Sequence, residues 1–182
     1  MEVLVFSYLM NFGHINIISE DVVPFYVVSI IQDADKEVRK ILDVEKRDFS
    51  IVFLKSTQDF VLYTHGEWWY GGIVRKDTIY LQSLGLLLKK RIFKKIVLHE
   101  IAHIYLREFN LPRFIEEGIC IYIAGENCVG YDKRYRPEEI KRMLLSKDKE
   151  RYLEGLCAAF NYVKELIKNH GLKNIIKERR FE

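Results

Sequence analysis

The sequence predicts an α+β fold in which a β-rich N-terminal half packs on a helical C-terminal half. β-branched and aromatic runs lie before residue 83, whereas apolar residues after it recur at three- and four-residue steps. With 182 residues, of which 49% are hydrophobic, the chain has enough apolar surface for one core. We therefore expect a single domain over residues 1–182, divided into an α/β half (1–83) and a helical half (84–182).

The elements of the first half follow from local sequence patterns. In chain order they are a strand at His14–Ile18, a helix at Val22–Val44, a strand at Phe49–Leu54, a short helix at Thr57–Tyr63 and a hairpin with arms Gly72–Val74 and Thr78–Leu81. Asp21 is the expected N-cap of the first helix, with Pro24 in its first turn. Arg75–Asp77 is the expected hairpin turn.

The second half is predicted to be helical. The helices are expected at Leu84–Arg107, Arg113–Ala124, Pro137–Leu145, Tyr152–Asn169 and Leu172–Arg180, with a loop at Asn127–Arg136. Leu84–Arg107 has the strongest helical pattern, and Pro112 separates it from the next helix. Gly125 and Gly171 are the expected stops of their helices, since glycine readily adopts the left-handed conformation at a helix end.

Charge, cysteine content and hydropathy restrict the functional class. Lysine and arginine number 29 against 26 acidic residues, and a net charge of +3 is too small to argue for nucleic-acid binding. We interpret the basic runs at 89–95, 133–136 and 173–180 as solvated helix faces.

Three cysteines without a CxxC motif predict reduced thiols in a reducing compartment. The N-terminus lacks the basic region and cleavage site of a signal peptide, and no apolar run approaches the ~20 residues that span a bilayer. We therefore expect a cytoplasmic protein with no membrane partner.

One motif indicates metal chemistry. His99, Glu100 and His103 form an HExxH sequence within an almost wholly apolar stretch. On a helix, residues four apart share a face, so both imidazoles can bind one metal ion while Glu100 activates a water molecule. A helix that is apolar all round is buried, and buried imidazoles are costly unless they are paired or metal-bound. A solvated polar strip on a half-buried helix is the alternative interpretation.

The residues after the motif resemble a known family. HEIAH, followed by LPRFIEEG at 111–118 and by Tyr122, is similar to the gluzincin metallopeptidases, and in particular to the small peptidase-MA-like domains. The resemblance implies a zincin-like fold with the active-site cleft between the two halves. It implies one Zn²⁺ per chain, held by His99, His103 and Glu117, with Glu116 as an exposed neighbour of the third ligand.

The same resemblance suggests substrate-binding groups. The edge strand of the hairpin, here Gly72, Ile73 and Val74, would bind an extended peptide by strand addition. A tyrosine or histidine would stabilise the oxyanion, and four residues remain open for this role. These are Tyr131, Tyr135, Tyr152 and His65.

The chain also departs from this family. Ile121 occupies the position at which the thermolysin group has an aspartate that supports the first histidine, so this support must come from elsewhere. The exopeptidase signature of the large aminopeptidases is absent. Cys120 shares a helix face with Glu117 and is either a core residue or a thiol near the metal that could block its open position.

The expected function is therefore that of a zinc-dependent metallopeptidase acting on a peptide or protein substrate, with Glu100 as general base. Two alternatives remain open: a catalytically inactive metal-binding domain with an interaction or regulatory role, and a protease that acts on nucleic-acid-bound proteins. The sequence does not indicate the oligomeric state.

Overall fold

The computed structural model describes residues 8–126, 128, 131 and 133–178. Within these residues five strands form one sheet: β1 (Tyr8–Phe12), β2 (Ile15–Ser19), β3 (Phe49–Phe53), β4 (Gly72–Arg75) and β5 (Thr78–Leu81). The helices of this part of the chain are α1 (Phe25–Leu42), α2 (Thr57–Thr64), α3 (Leu84–Lys89), α4 (Phe93–Leu106), α5 (Arg113–Ala124), α6 (Pro137–Met143), α7 (Lys149–His170) and α8 (Leu172–Glu178), with a short 3-10 helix at Arg107–Phe109. The predicted α+β class is confirmed.

The sheet is mixed, with strand order β1-β2-β3-β5-β4. Strands β2, β3 and β5 pair in parallel, whereas β1 and β4 are antiparallel to their neighbours. Parallel neighbours need a crossover connection, and α1 supplies it between β2 and β3. Strand β4 ends the sheet order, so it is an edge strand beside α4, which packs against it.

The first helix starts later than the sequence suggests. It begins at Phe25, directly after Pro24, whose extended backbone (φ −61°, ψ 146°) precedes the first turn. Asp21 is therefore not the N-cap, and its own N–H donates to Ser19 Oγ at 3.1 Å. The fixed φ of proline suits the entry to a helix, which explains why the helix begins beside Pro24 and not at Val22.

The segment Leu84–Arg107 is two helices, contrary to the prediction of one continuous pattern. Arg91 adopts a left-handed conformation (φ 57°) between α3 and α4. The N–H groups of Arg91 and Ile92 donate to Leu88 and Leu87, which closes α3. Apolar spacing continues across the break because both helices face the same core. A new helix therefore starts at Phe93 and carries the HExxH motif.

Strand β1 is absent from the sequence-based expectations. It pairs with β2 through a tight turn in which Gly13 has φ +72°, a conformation that favours glycine. Other expectations fall on residues outside the described part of the chain. These are Asn127, Val129, Gly130 and Asp132 of the expected loop and Arg179 and Arg180 of the expected last helix.

A buried aspartate joins α1 to the sheet and to the motif helix. Asp35, only 1% exposed, accepts hydrogen bonds from Tyr105 Oη at 2.6 Å and from Arg39 Nε at 3.0 Å. His14 Nε2 lies 3.0 Å from the same carboxylate. A buried carboxylate is tolerated only when it is paired in this way, so the network fixes α4 against α1.

The expectation of reduced cysteines is wrong. Cys128 and Cys157 form a disulfide that joins the segment after α5 to α7, with Cα atoms 5.3 Å apart. Cys120 is free and buried. Because disulfides are uncommon in reducing compartments, the cytoplasmic location stays a prediction without this support. In the described part of the chain, no helix combines the length and apolarity needed to cross a membrane.

Candidate metal centre and cleft

Helix α4 presents the motif histidines on one face. His99 and His103 are one turn apart, and their Nε2 atoms lie 3.2 Å from each other. The helix is held by α1 and α5, and β4 covers part of it. The two imidazole rings are at an interplanar angle of 64° and project into a common space. The arrangement follows from the four-residue spacing, which stacks side chains along one helix face.

Helix α5 brings Glu117 to the same point. Glu117 Oε2 lies 3.5 Å from His99 Nε2 and 3.6 Å from His103 Nε2. A tetrahedral ion with bonds of 2.0–2.2 Å separates its ligands by roughly 3.3–3.6 Å. The three donor atoms therefore form a triangle that fits a metal ion, and they are of the types that zinc prefers.

The electrostatics at Glu117 favour its ionised form. Burial alone raises the pKa of Glu117, but His103 and His99 outweigh burial and hold this pKa well below its usual range. Arg113 Nε lies 3.6 Å from Glu117 Oε1, one turn earlier on α5. A carboxylate that stays ionised is available as a metal ligand.

The remaining imidazole nitrogens face carboxylates. His103 Nδ1 lies 2.6 Å from Glu116 Oε1, and His99 Nδ1 lies 3.9 Å from Glu126 Oε1. The expectation that Glu116 is only an exposed neighbour is wrong, because its side chain is 22% exposed and engages His103. Support from carboxylates fixes the tautomer of metal-binding histidines. For His99, whose support Ile121 cannot provide, the carboxylate that faces Nδ1 is Glu126, whereas Glu116 serves His103.

Cys120 lies beside the same imidazoles. Donor atoms of His99, His103 and Cys120 lie within 4.8 Å of one another, so this group could also hold a metal ion. Burial raises the pKa of the Cys120 thiol to about 12, so without a metal it stays protonated at neutral pH. The burial of Cys120 agrees with its interpretation as a core residue. Its histidine neighbours agree with its interpretation as a thiol near the metal.

Glu100, the residue after His99 on α4, is a nearly buried carboxylate. It is 6% exposed, and burial raises its pKa, against the lowering effect of His99 and His103. Strand β4 passes directly over it at Gly72. A Cβ atom added at Gly72 would lie 2.7 Å from Glu100 Cγ, closer than real Cβ atoms come to other groups. Glycine at this position is therefore what lets the edge strand approach the motif.

A cleft of about 510 Å³ is lined by both motif histidines and by the four glutamates Glu100, Glu116, Glu117 and Glu126, whereas Cys120 is not among its lining residues. Its walls come from the segment before β5, from α4 and α5, and from the start of α7. The residues that line it include the expected substrate-binding Gly72, Ile73 and Val74 together with Trp69, Tyr70, Arg113, Glu126 and Tyr152. The three edge-strand residues and the motif thus share one cavity.

The structure separates the candidate oxyanion residues. Tyr152 lines the cleft, where its ring lies 5.1 Å from that of Tyr70. Burial raises the pKa of Tyr152, so its hydroxyl remains a donor. Tyr131 and Tyr135 are not among the cleft residues, and Tyr135 donates to Glu154 instead. His65 ends α2 in a left-handed conformation, also outside the cleft lining.

Gln82 is a contributor that the sequence does not reveal. It is 2% exposed, and its Nε2 donates to the carbonyls of Trp68 and Tyr70 at 2.9 and 3.0 Å. Its Oε1 accepts from Thr57 Oγ1 at 2.8 Å. A single glutamine after a strand carries no sequence signal for this role, yet it fixes the loop that places Tyr70 in the cleft.

The basic runs make local ion pairs. Arg134 pairs with Glu165 at 2.7 Å, and Lys173 pairs with Asp43 at 2.9 Å. Lys133 and Arg134 line a second groove of about 770 Å³ between the 133–136 segment and α7. The pairing of Lys173 on α8 agrees with a solvated helix face, whereas Lys133 and Arg134 lie in the non-helical segment before α6.

No family model matches this sequence, and a search of curated proteins finds no match.

Proposed function

We propose that this protein is a zinc-dependent metallopeptidase of the gluzincin type. Three atoms carry the proposal: His99 Nε2, His103 Nε2 and Glu117 Oε2 form a triangle with sides of 3.2, 3.5 and 3.6 Å. When bound there, zinc would supply Lewis-acid polarisation of the scissile carbonyl and of the attacking water. Zinc is the ion that two imidazoles and a carboxylate suit best.

Glu100 is the general base. Its carboxylate takes the proton of the attacking water and gives it to the leaving amine. The buried position of Glu100 supports this role, because burial raises its pKa towards the pH at which a carboxylate both accepts and returns a proton.

The substrate is an extended peptide segment of a peptide or protein. It pairs with the free edge of β4 at Gly72–Val74, and its scissile bond then lies over α4, which packs against this strand. Tyr152 is the donor for the carbonyl oxygen, since of the three candidate tyrosines it alone lines the cleft. A donor that is buried and stays protonated is suited to this task.

The variant Glu100→Gln tests this assignment. It keeps the shape of the side chain and removes the base, so zinc content should equal that of the wild type while turnover of a peptide library is lost. Digests with and without a chelator supply the background. A zinc-loaded Glu100→Gln protein that still cleaves peptides would remove Glu100 from the mechanism.

One observation favours a second candidate function, a metal-binding domain without turnover. Cys120 brings a fourth protein donor within reach of the histidines. A site with four protein ligands is closed, whereas a catalytic site keeps one position open. Cobalt(II) substitution separates the two functions: a thiolate-to-cobalt charge-transfer band that disappears in Cys120→Ser would favour the closed site. An unchanged spectrum in that variant would favour the peptidase.

A further inference from the structure

The two histidines are supported in different ways. His103 Nδ1 is in hydrogen-bond contact with Glu116 at 2.6 Å, on the same helix as the ligand Glu117. His99 Nδ1 instead faces Glu126, whose Oε1 lies 3.9 Å away, beyond the end of α5. A shift of about 1 Å would bring this carboxylate into the range of a charge-assisted hydrogen bond, roughly 2.7–2.9 Å.

The backbone of Glu126 is restrained by contacts both before and after it in the sequence. On one side, Gly125 ends α5 in the left-handed conformation (φ 63°), and the Glu126 N–H donates to Ile121 O at 3.3 Å. On the other side, Cys128 is bonded to Cys157 of α7. Helix α7 also provides Tyr152 to the wall of the cleft. The disulfide therefore ties the segment that carries Glu126 to a helix that lines the same cavity.

We infer that Glu126 is a positioning residue for His99 and that the Cys128–Cys157 disulfide holds it in place, so that the metal affinity of the site responds to thiol reductants. This inference rests on the proposed zinc site. Once it closes the 3.9 Å gap to His99 Nδ1, the Glu126 carboxylate accepts the Nδ1–H, which fixes the tautomer that leaves Nε2 for the metal. Among the described residues after Glu126, the disulfide at Cys128 is the first tie to α7, and the next is the hydrogen bond that Asn161 Nδ2 donates to Tyr131 O at 2.7 Å.

The redox step is ordinary thiol–disulfide exchange. A dithiol reductant attacks one sulfur of the Cys128–Cys157 bond and forms a mixed disulfide, which its second thiol then resolves. Two electrons and two protons pass to the cysteines, which end as thiols, and the reductant ends as its own disulfide. Cys120 takes no part, since it is buried and unpaired with another cysteine.

Zinc affinity, measured by competition with a chromophoric chelator, tests the inference without any need for a substrate. Four proteins are compared with the wild type: Glu126→Gln, Cys128→Ser/Cys157→Ser, the combination of all three changes, and the surface control Glu108→Gln. Loss of an orienting carboxylate weakens metal affinity by about 10-fold or more. We expect such weakening in Glu126→Gln, a smaller weakening in the double serine variant, and none in the control.

The combined variant separates positioning from a general loss of structure. If the disulfide acts through Glu126, removing it from the Glu126→Gln protein adds no further loss of affinity. Additive losses would show that the disulfide acts elsewhere and would overturn the coupling. Wild-type affinity in Glu126→Gln would overturn the role of Glu126.

Chemical reduction of the wild-type protein tests the redox response even if the double serine variant does not fold. Reduction with a phosphine, which becomes its oxide, should weaken zinc binding, and an unchanged affinity after complete reduction would contradict the redox response. A wild type that binds no zinc at all would instead refute the proposed function.

Discussion

Replacing Gly118 with alanine probes the contact that sets the position of Glu117. Gly118 follows Glu117 on α5 and faces α7. A Cβ atom at residue 118 would lie 2.5 Å from the backbone oxygen of Ala159 and 2.6 Å from Val163 Cγ2, whereas ordinary contact is 3.4–4 Å. The oxygen belongs to a helix backbone and cannot rotate away, so α5 and α7 must separate by about 1 Å.

The expected cost combines two opposing effects. Overpacking of a core contact costs about 1–3 kcal/mol, and a clash with backbone belongs at the upper end of this range. Alanine gains back roughly 0.8–1.0 kcal/mol of helix propensity relative to glycine. The free energy of unfolding should therefore fall by about 2 kcal/mol. For a chain of this size this lowers the Tm by about 4–8 °C.

Thermal and urea unfolding of the metal-free protein measure this change. The matched control is Gly85→Ala in α3, where a Cβ meets nothing within 4 Å. At that exposed helical position the same substitution should stabilise the protein by about 0.5–1 kcal/mol. A Gly118→Ala protein as stable as the wild type, beside a stabilised Gly85→Ala protein, would refute the close approach of α5 and α7.

Three further outcomes are expected from the structure. Asp35→Ala leaves Arg39 without its buried partner, so the free energy of unfolding measured by urea titration should fall by about 3–5 kcal/mol. A change below about 1 kcal/mol would show that the network contributes little. Gly72→Ala should displace Glu100 and abolish peptide cleavage at unchanged zinc content, and an active variant would contradict the close contact between β4 and Glu100. Tyr152→Phe should reduce kcat while the protein retains its zinc, whereas Tyr135→Phe should leave kcat unchanged. Equal kcat values for the two variants would argue against an oxyanion role for Tyr152.

Local patterns in the sequence predict most of the fold. Alternation and helical spacing locate β3, β5, α2 and α5 to within a residue or so, because each pattern reflects which face is buried. The break at Arg91 and strand β1 escape prediction for a different reason. Both depend on how the chain packs at a distance, which leaves no local sequence signal.

The candidate site, like the fold, is predicted by the sequence only in part. The triangle of His99, His103 and Glu117 could be anticipated, since helix geometry fixes the first two and a family resemblance suggests the third. The contacts of Glu116 and Glu126 could not, because each depends on how α5 and its end pack on α4. The disulfide between Cys128 and Cys157 spans 29 residues and has no motif that would signal it.

Zinc content measured by elemental analysis tests the central claim most directly. Wild-type protein purified without chelator is compared with Glu117→Ala and with Glu138→Ala, which changes an exposed glutamate of α6. The proposed site predicts about one zinc per chain in the wild type and in Glu138→Ala, and little or none in Glu117→Ala. A wild type that holds no zinc even after zinc is added, or a Glu117→Ala protein that holds as much as the wild type, would contradict the three-ligand site.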